Sequence, residues 1–343
     1  MILPGLVDVH VHLRVPGGEH KEDFRTGTAA ALAGGFTTLM AMPNTRPPLT
    51  TSEAYRIAQN ASQKDSLCDV FLYAGASDEH IAELPMLARQ APALKLYMNE
   101  TYGGLRVRGL DKLSQIAQTW PADKVLALHA EGDSVAIGIG LAAAYKRPVH
   151  LSHISRKDEI ELIAAAKARG LPVTCEVTPH HLFLTKAVAA RLGPLVDMRP
   201  RLAEQADMDA LWQHINTTID CIASDHAPHT LEEKTGTENP PPGVPGLEST
   251  LPLMLTAVAD GRLSIDRLIE LLYTNPLRIF KLPEQPDTWL EADEHARYTF
   301  PDHPLYTKCG WSPFSGFEMR GRIRKVIFKG NEVVRDGTVL TFK

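Results

Sequence analysis

The sequence predicts an α/β fold, a closed (β/α)8 TIM barrel with a small appended C-terminal β segment. Three observations indicate this fold class: eight short apolar runs, helix-like stretches between them, and a change of character after about residue 284. One barrel of roughly 250 residues with additions would account for the 343 residues of the chain. We therefore expect the barrel over residues 1–283, and over residues 284–343 an extension whose short β strands pack on it.

The eight apolar runs are rich in Val, Ile and Leu, as is typical of parallel strands that are buried on both faces. The clearest helix is Arg156–Arg169, where Ile160, Ile163 and Ala164 form an apolar stripe and Gly170 supplies a C-terminal stop. Strands and helices that alternate in this way favour a closed barrel over an open sheet. The candidate strands are Gly5–Leu13, Thr37–Pro43, Asp69–Ala76, Leu94–Met98, Val125–Glu131, Val149–Ser155, Pro172–Pro179 and Cys221–Pro228.

The C-terminal segment divides into two parts. Trp289–Trp311 shows no regular period, so we expect it to be irregular. Arg322–Leu340 predicts a β-meander with hairpin turns at Gly330-Asn331 and at Asp336-Gly337. The Pro/Gly-rich stretch Asn239–Gly246 follows the eighth strand directly, where the active-site loops of such barrels lie.

The overall composition excludes several classes of protein. A net charge of −5 and a pI near 6.3 provide no basic field for nucleic acid. No apolar run approaches the roughly 18 residues that span a bilayer, and Met1–Gly5 lacks the pattern of an export signal. The four cysteines form no CxxC pair, which argues against a disulfide framework and against a Cys-type zinc site. We expect a cytoplasmic protein that binds neither nucleic acid nor membrane.

Histidines and one aspartate stand at the ends of the candidate strands. His10 and His12 are two apart on the first strand and therefore share a face. His129, His153 and Asp225 end or nearly end the fifth, sixth and eighth strands, so they would surround the same rim. Imidazole and carboxylate ligands suit Zn²⁺, and this set exceeds what one tetrahedral ion needs. Two metal ions are the natural interpretation; histidines satisfied by hydrogen bonds in a polar barrel end are the alternative for the first pair.

Lys95 lies in the middle of the apolar fourth strand. A lysine in such a strand is costly unless it is paired or neutralised. One interpretation is an ion pair with an acid. The other is that CO₂ carboxylates the amine and gives an anionic carbamate that bridges two zinc ions.

The candidate strands and the loops after them carry a set of short motifs. They are HVHLR (10–14), MPNT (42–45), LKLYMNET (94–101), LHAE (128–131), CEVTPHH (175–181), SDHAPH (224–229) and PPPGVPGLE (240–248). Taken together, these motifs resemble those of dihydroorotases, and more narrowly those of the dihydroorotase domain of the animal multifunctional pyrimidine-synthesis protein (CAD type). The resemblance covers nearly the whole chain and is weakest between Pro283 and Thr307.

The resemblance implies a zinc-dependent hydrolase of cyclic amides that reversibly converts N-carbamoyl-L-aspartate into L-dihydroorotate in pyrimidine (UMP) biosynthesis. It implies that His10, His12, a carboxylated Lys95 and Asp225 hold one zinc ion. It implies that the same Lys95, with His129 and His153, holds the other.

CAD-type domains are also associated with a third zinc that uses a glutamate and a cysteine. Glu176 matches the glutamate, but Ser152 stands where the cysteine would be. The loss of a thiolate removes the softest ligand. Glu176 is therefore either a metal ligand or a support for the neighbouring ligands.

The expected substrate contacts begin with Arg14, which continues the spacing of the two histidines on the first strand. An arginine beside two dications suits a bidentate contact with an anion; a salt bridge to a rim acid is the alternative. Asn44 could donate to the same anion or serve only in a turn. By resemblance Arg14, Asn44 and His229 hold the substrate α-carboxylate, and Asp225 acts as general base and then acid. Arg199 and Pro242 match further substrate-contacting positions.

The loop Asn99–Gly109 is a candidate lid in which Thr101 and Tyr102 would touch bound substrate, although it could be an ordinary exposed loop. In relatives a phenylalanine often occupies the position of Tyr102. The other histidines have structural expectations: His180, His181 and His226 support the fold, and His150 faces away from the site because its parity differs from that of His153.

Two other functions compete with dihydroorotase. Dihydropyrimidinase, hydantoinase and allantoinase share the zinc pair, but their substrates lack the ring carboxylate that Arg14 would read. A catalytically inactive scaffold of the same superfamily is the second alternative, although such proteins usually lose metal ligands. The family suggests a homodimer, and the chain could be fused to carbamoyl-phosphate synthetase and aspartate transcarbamoylase domains.

Overall fold

Parallel strands close into a barrel in the computed structural model, which describes residues 1–340. The strands of the chain are β1 (Ile2–Pro4), β2 (Leu6–Val11), β3 (Phe36–Ala41), β4 (Asp69–Leu72), β5 (Ala74–Gly75), β6 (Ala93–Tyr97), β7 (Val125–His129), β8 (Val149–Leu151), β9 (Val173–Val177), β10 (Cys221–Ile222), β11 (Trp289–Thr299), β12 (Glu318–Phe328), β13 (Asn331–Arg335) and β14 (Thr338–Val339). Strands β2 to β10 form the barrel, and all of their pairings are parallel.

The barrel consists of two sheets, β2–β3–β4 and β5 to β10 in order, that are continuous with each other. β4 and β5 are two parts of one strand interrupted at Tyr73, whose N–H still donates to Ala41 of β3 at 3.0 Å. At the other junction Val11 pairs with His226, and the His12 N–H donates to the His226 carbonyl at 2.7 Å. The predicted barrel is therefore confirmed, with each candidate strand in place.

Helices cover the outside of the barrel. The helix predicted from periodicity is present as Lys157–Ala168; it buries Ile160 and Ile163 as expected, but Ala166 rather than Ala164 completes the buried face. No helix within residues 1–340 is both long and apolar enough to cross a membrane. The α-helices are α1 (Phe24–Ala33), α2 (Ser52–Asp65), α3 (Leu84–Leu87), α4 (Leu110–Thr119), α5 (Asp133–Tyr145), α6 (Lys157–Ala168), α7 (Pro179–Phe183), α8 (Ala189–Leu192), α9 (Gln205–His214), α10 (Leu231–Thr235), α11 (Leu247–Ala259), α12 (Ile265–Ile269) and α13 (Asn275–Phe280). Short 3₁₀ turns lie at Ile81–Glu83, Lys186–Val188 and Gly193–Val196, and a π-helical turn at Glu270–Thr274.

Side chains of the barrel strands alternate between its interior and the layer beneath the helices. On β7, Leu126 and Leu128 pack in the outer layer, whereas Ala127 lies in the inner cluster with Val9. Phe280 of α13 joins that inner cluster. The interior is therefore a packed core, which leaves the carboxyl ends of the strands for polar groups.

The C-terminal strands form a separate antiparallel sheet in the order β1-β11-β12-β13-β14. The meander predicted for Arg322–Leu340 is confirmed, but the expectation of an irregular Trp289–Trp311 is wrong, because its first part forms the 11-residue strand β11. Leu290 and Ala292 alternate inward, and the charged second half is mostly exposed, so the strand depends on pairing with β12 rather than on its own period.

The appended sheet takes a strand from each end of the described chain, because Ile2–Pro4 pairs with residues 289–291. It packs on the barrel through α11. At Gly321 of β12, an added Cβ would lie 2.5 Å from Leu255 of α11, so only glycine permits this close approach. The division of the chain at residue 283 stays a prediction.

Candidate metal centre and substrate pocket

A bulge in β2 aims both histidines of the first strand into the barrel. Asp8 is aligned with Leu39 and Val11 with Ala41, so β2 holds one residue more than β3 over this stretch. The Asp8 carboxylate fixes the bulge because it accepts the N–H groups of His10 at 3.0 Å and of Ser224 at 3.1 Å. Burial raises the pKa of Asp8 to about 7. β-Bulges commonly re-aim side chains next to active sites.

Three buried side chains converge at the carboxyl ends of the first and last barrel strands. The Nε2 atoms of His10 and His12 lie 3.3 Å and 3.2 Å from Oδ1 of Asp225. Among the described residues these three form a group whose ligand atoms all lie within 4.8 Å of one another. Burial lowers the pKa of both histidines, so each ring is neutral near pH 7 and offers a lone pair.

Hydrogen bonds on the far side of each ring decide which nitrogen faces the centre. Nδ1 of His10 donates to Glu176, and Nδ1 of His12 donates to Oδ1 of Asn44 at 2.8 Å. Donation from Nδ2 of Asn44 to the Tyr102 carbonyl at 3.0 Å fixes the orientation of the amide. The Nε2 lone pairs therefore face a carboxylate oxygen, an arrangement that repels unless a cation lies between them. This donor set fits a metal ion.

His129 and His153 continue the group around the rim. Nδ1 of His129 lies 2.8 Å from Nε2 of His153, and the rings of His153 and His10 are 5.2 Å apart. Nε2 of His129 is held by Glu131 at 2.9 Å, while Nδ1 of His153 is buried without a hydrogen-bond partner. Burial lowers the pKa of both rings, so they too are neutral near pH 7.

Lys95 is fully buried beneath these histidines and makes no ion pair with an acid in the described chain. Its ammonium donates instead to Oγ of Ser152 at 2.6 Å. Burial lowers the pKa of Lys95 to about 8, so a fraction of the side chain is a free amine near neutral pH. A neutral amine is the form that can react with CO₂. The ion-pair interpretation of Lys95 is thus not observed.

Backbone strain is concentrated in this region. Of the eight non-glycine residues with positive φ within residues 1–340, three belong to the predicted site: Arg14 at 62°, His153 at 37° and Asp225 at 44°. Such conformations persist only where the surrounding structure enforces them, and they cluster at functional sites. The left-handed backbone at His153 also interrupts the alternation of side chains along the strand. The two-residue period of a strand therefore could not predict which way the neighbouring side chains point.

The expectation that His150 faces away from the site is wrong. His150 is fully buried, and its Nε2 lies 3.1 Å from Oε2 of Glu176. Glu176 therefore lies between His150 and His10, behind the group that surrounds Asp225. Burial alone would raise the pKa of Glu176, but the hydrogen bonds that its carboxylate accepts from His10 and His150 hold the pKa below its ordinary value. This placement makes Glu176 an anchor for His10.

Arg14 and His229 form the other end of the pocket. Lys21 donates to Nδ1 of His229 at 3.0 Å, so the Nε2–H of that ring donates to the Pro242 carbonyl at 3.1 Å. Nη2 of Arg14 lies 3.1 Å from the same Nε2, which carries its own hydrogen and cannot accept. Burial and the neighbouring cations lower the pKa of His229, which keeps the ring neutral. Arg14 makes no ion pair within residues 1–340, so the rim salt bridge is not observed and a cationic guanidinium group faces the cavity.

The predicted lid loop lies over this end of the pocket. The Tyr102 ring packs edge-on against His229 with centroids 5.0 Å apart, and its hydroxyl accepts a hydrogen bond from Lys21 at 2.9 Å. The loop is thus docked by the hydroxyl group that a phenylalanine would lack. Arg199, at the other wall, is held by Oδ1 of Asp197 at 2.6 Å.

The cavity enclosed by these groups is small, about 30 Å³. It is lined by most of the residues that the sequence selects, and Lys95, Glu176 and His229 lie just behind its walls. The lining residues are His10, His12, Arg14, Asn44, Tyr97, Thr101, Tyr102, His129, His153, Met198, Arg199, Asp225, Ala227, Pro242 and Gly243.

Two histidine expectations are supported by their contacts. His181 bonds Thr178 and the Pro200 carbonyl, and His226 bridges Glu22 and the Gly246 N–H, so both support the fold. Sequence reasoning missed Lys21 and Tyr97, which hold or line the pocket. Tyr97 is two residues after Lys95 on the same strand and therefore shares its face, which was a signal in the sequence. Lys21 lies in a loop, where spacing gives no such signal.

A parallel barrel with buried imidazoles and a carboxylate at the carboxyl ends of its strands defines a metal-binding barrel of the amidohydrolase class. A family model described as Dihydro-orotase-like matches residues 1–188. The chain belongs to this dihydroorotase-like family.

Two sequence relatives define the extent of this match. The chain is 46% identical over 339 residues to "Multifunctional protein CAD" of Squalus acanthias, and the match covers 98% of the chain but only 15% of that protein. It is 33% identical over 366 residues to a dihydroorotase of Pyrococcus furiosus, with 99% of the chain and 83% of that protein covered. The chain therefore spans a small part of the first relative and most of the second.

Two solved structures share the fold. The L-hydantoinase (dihydropyrimidinase) of Arthrobacter aurescens superposes with a TM-score of 0.94 at 26% identity, covering 99% of this chain and 87% of that one. The inactive dihydroorotase-like domain of a CAD-like multifunctional protein from Chaetomium thermophilum has a TM-score of 0.85 at 26% identity, covering 99% and 96%. Overall fold therefore does not separate an active enzyme from an inactive one, and the side chains must decide.

Proposed function

We propose that this chain is a zinc-dependent dihydroorotase that reversibly cyclises N-carbamoyl-L-aspartate to L-dihydroorotate. The observation that carries the proposal is the combination of two features in one cavity. Imidazole lone pairs surround the carboxylate of Asp225, and the guanidinium of Arg14 faces the same space without an acid partner. The first feature suits a metal-activated hydrolysis, and the second suits a substrate that carries a carboxylate.

The side chains present fit two zinc ions. His10, His12 and Asp225 with a carboxylated Lys95 would hold one ion, and the same Lys95 with His129 and His153 would hold the other. The buried amine of Lys95 has the chemistry that carbamate formation needs. A third ion is not supported by the contacts, because Oγ of Ser152 accepts from Lys95 and Glu176 is occupied by two histidines.

The substrate is oriented by groups at the Arg14 end of the cavity. The guanidinium group of Arg14, the Nδ2–H of Asn44 and the Nε2–H of His229 would donate to the α-carboxylate, while Arg199 and the Pro242 backbone contact the ring. To reach the substrate, Asn44 and His229 exchange their present carbonyl acceptors for the carboxylate. Thr101 and Tyr102 exclude water once the loop is closed.

The proton transfers are assigned to Asp225. Zinc held by His10, His12, Lys95, His129, His153 and Asp225 would supply hydroxide at neutral pH and would polarise the ring amide carbonyl. In ring opening, the Asp225 carboxylate takes the proton of the attacking water and returns it to the departing ring nitrogen, so it acts first as base and then as acid. Ring closure uses the same groups in reverse. Burial raises the pKa of Asp225, which brings the carboxyl nearer to the range in which it can both accept and release a proton.

The two rival functions remain testable. Dihydropyrimidinase, hydantoinase and allantoinase act on rings without the carboxylate, so an uncharged ring would be the better substrate for them. An inactive scaffold would bind no zinc and turn over neither substrate. The full set of candidate ligands and the buried, unpaired Arg14 favour an active dihydroorotase. Assays of both directions, with zinc analysis of the same sample, test the proposal directly.

Arg14→Ala is expected to raise KM for L-dihydroorotate about 10- to 100-fold, since a charged hydrogen-bonded pair is worth on the order of 1.5–3 kcal/mol. The activity of the variant on uncharged dihydrouracil should stay at the wild-type level, because that ring has no carboxylate for Arg14 to bind. The exposed Arg335, on β13 of the appended sheet, provides the control as Arg335→Ala. Unchanged ring opening in Arg14→Ala, with dihydrouracil used as well as dihydroorotate, would favour the rival amidohydrolases.

Glu176→Gln is expected to weaken zinc binding about 10- to 100-fold in chelator competition, because the loss of an acceptor behind a ligating histidine has this effect. Wild-type protein should contain two zinc ions per chain by elemental analysis. Glu159→Gln is the control, because Glu159 is also buried but accepts from the backbone N–H groups of Gly132, Ser155 and Arg156 and from the Ser155 hydroxyl, not from a histidine. Three ions in the wild type and two in the variant would instead make Glu176 a direct ligand.

The context of the chain follows from the same proposal. Its partners would be carbamoyl-phosphate synthetase and aspartate transcarbamoylase domains of a larger protein, in a cytoplasmic homodimer devoted to pyrimidine biosynthesis. The match to 15% of a multifunctional relative supports the fusion. Residues 1–283 would form the catalytic barrel and residues 284–343 the extension packed on it.

A further inference from the structure

Lys234 is a buried cation that lies outside the groups described above. It stands on α10, and its side chain is fully buried. Its ammonium donates to the carbonyl oxygens of Asp197, Pro241 and Gly243, each at 3.0 Å. These bonds use all three donors of the ammonium, and no carboxylate pairs with it in the described chain.

The three carbonyls belong to two loops that line the cavity. One loop carries Arg199, whose guanidinium is held by the side chain of Asp197 at 2.6 Å. The other carries Pro242, which lies between the two bonded residues and accepts from His229 at 3.1 Å. The loops also contact each other directly, because the Gly243 N–H donates to the Asp197 carbonyl at 2.9 Å. Lys234 is thus the centre of a polar network that ends in substrate-facing groups.

A buried charge without a counter-ion costs free energy of folding, so packing alone does not explain a lysine at this position. Removal of an ammonium from water costs several kcal/mol in general, and an apolar side chain of similar volume often serves stability equally well. Burial lowers the pKa of Lys234 to about 8, so the charged form still predominates at neutral pH. The carbonyl-rich surroundings compensate the charge only while both loops keep their positions.

We propose that Lys234 is a positioning residue for the substrate, and that it acts by holding the loop of Arg199 and the loop of Pro242 and Gly243 at a fixed separation. This inference rests on the proposed function. The ammonium reaches no reacting atom; it fixes the backbone from which the ring-contacting groups project. Loss of Lys234 should therefore impair substrate binding more than the chemical step, and should leave the metal ligands unaffected.

Arg147 offers a matched control. It is also fully buried, and its guanidinium donates only to backbone carbonyls, those of Ala117, Trp120, Pro121 and Lys124. These residues precede β7 and lie at the amino ends of the barrel strands, away from the cavity. Arg147→Met therefore removes the same kind of interaction without touching a substrate-facing loop.

The test compares Lys234→Met, Lys234→Gln and Arg147→Met with the wild type. Each protein is assayed for kcat and KM with L-dihydroorotate, for bound zinc and for Tm. We expect KM to rise about tenfold in Lys234→Met, which corresponds to the loss of about one net hydrogen bond to a charged group. We expect kcat within about threefold of the wild type and unchanged zinc. Lys234→Gln keeps two N–H donors, so its KM should lie between those of the wild type and Lys234→Met. Arg147→Met should lower Tm and leave KM, kcat and zinc content unchanged.

A double-mutant cycle with Arg199→Ala identifies the route of the effect. If Lys234 acts through the Arg199 loop, the two changes in KM should be clearly less than multiplicative, because both remove the same contact. An unchanged KM in Lys234→Gln, with a fall in Tm like that of Arg147→Met, would overturn the inference. Lys234→Gln also provides the test if Lys234→Met does not fold. Wild-type protein that fails to turn over dihydroorotate would reject the proposed function itself, which is a separate result.

Discussion

Asp225→Asn should reduce ring opening of L-dihydroorotate by about 10²- to 10⁴-fold, the range that a positioned general acid–base group contributes. Asparagine keeps the shape and one metal-facing oxygen but cannot accept the proton of water and return it to the ring nitrogen. The Nε2 atoms of His10 and His12, held from behind by Glu176 and Asn44, should continue to bind metal. Zinc content should therefore stay near the wild-type value while kcat falls.

The measurement is a single-turnover assay in both directions, with zinc analysis of the same preparation. Asp220→Asn is a suitable control, because Asp220 is a nearly buried aspartate that binds Lys167 and the Cys175 N–H away from the cavity. Only a small loss of kcat in Asp225→Asn would contradict the proton transfer that is assigned to Asp225. A large loss accompanied by loss of zinc would make Asp225 chiefly a ligand.

Lys95→Met should remove both zinc binding and activity. The side chain is fully buried beneath the histidines, and the proposed carbamate is the only group shared by the two ions. Without this carbamate the metal would not be held, and no bound metal would lower the pKa of water from 15.7 to about 7. Hydroxide would then not be supplied at neutral pH. Turnover should fall by at least about 10³-fold at neutral pH, because the remaining general acid–base groups have no such nucleophile to act on.

Lys95→Glu restores an anionic carboxylate at a similar reach, and it should recover part of the zinc. Lys124→Met provides the control, because Lys124 is a partly buried lysine that donates to the Ala88 and Ala91 carbonyls away from the site. Normal zinc content and turnover in Lys95→Met would show that the buried amine has only a structural role. That result would also leave the cost of burying Lys95 unexplained.

The sequence was sufficient for the barrel and for the residues that converge in it. Strand ends and period-two spacing placed His10 and His12 on one rim with Asp225, and a lysine in an apolar strand marked Lys95. These placements follow from the barrel itself, because its parallel strands all end at the same face. The metal ions and the carbamate themselves leave no trace in residue spacing, so the sequence identifies only the donors that would hold them.

The errors and omissions have physical causes. His150 was misplaced because the positive φ at His153 interrupts the alternation on which parity depends. β11 was missed because it is stabilised by its pairing with β12 rather than by its own period. Lys21 and Lys234 were missed because they lie outside strands, where a lysine normally indicates solvent. Lys21 is buried against Tyr102, His229 and Glu233, and Lys234 is buried against three backbone carbonyls.

The hydroxyl of Tyr102 has a consequence for the timing of catalysis. The tyrosine ring lines the cavity that Arg14 and the histidines also line, and it is docked on Lys21 and His229. Passage of a reactant on this side of the pocket would require that contact to open. If the chain has the proposed activity, the strength of the contact would therefore contribute to the rate of product release, because the opening of a lid often limits turnover.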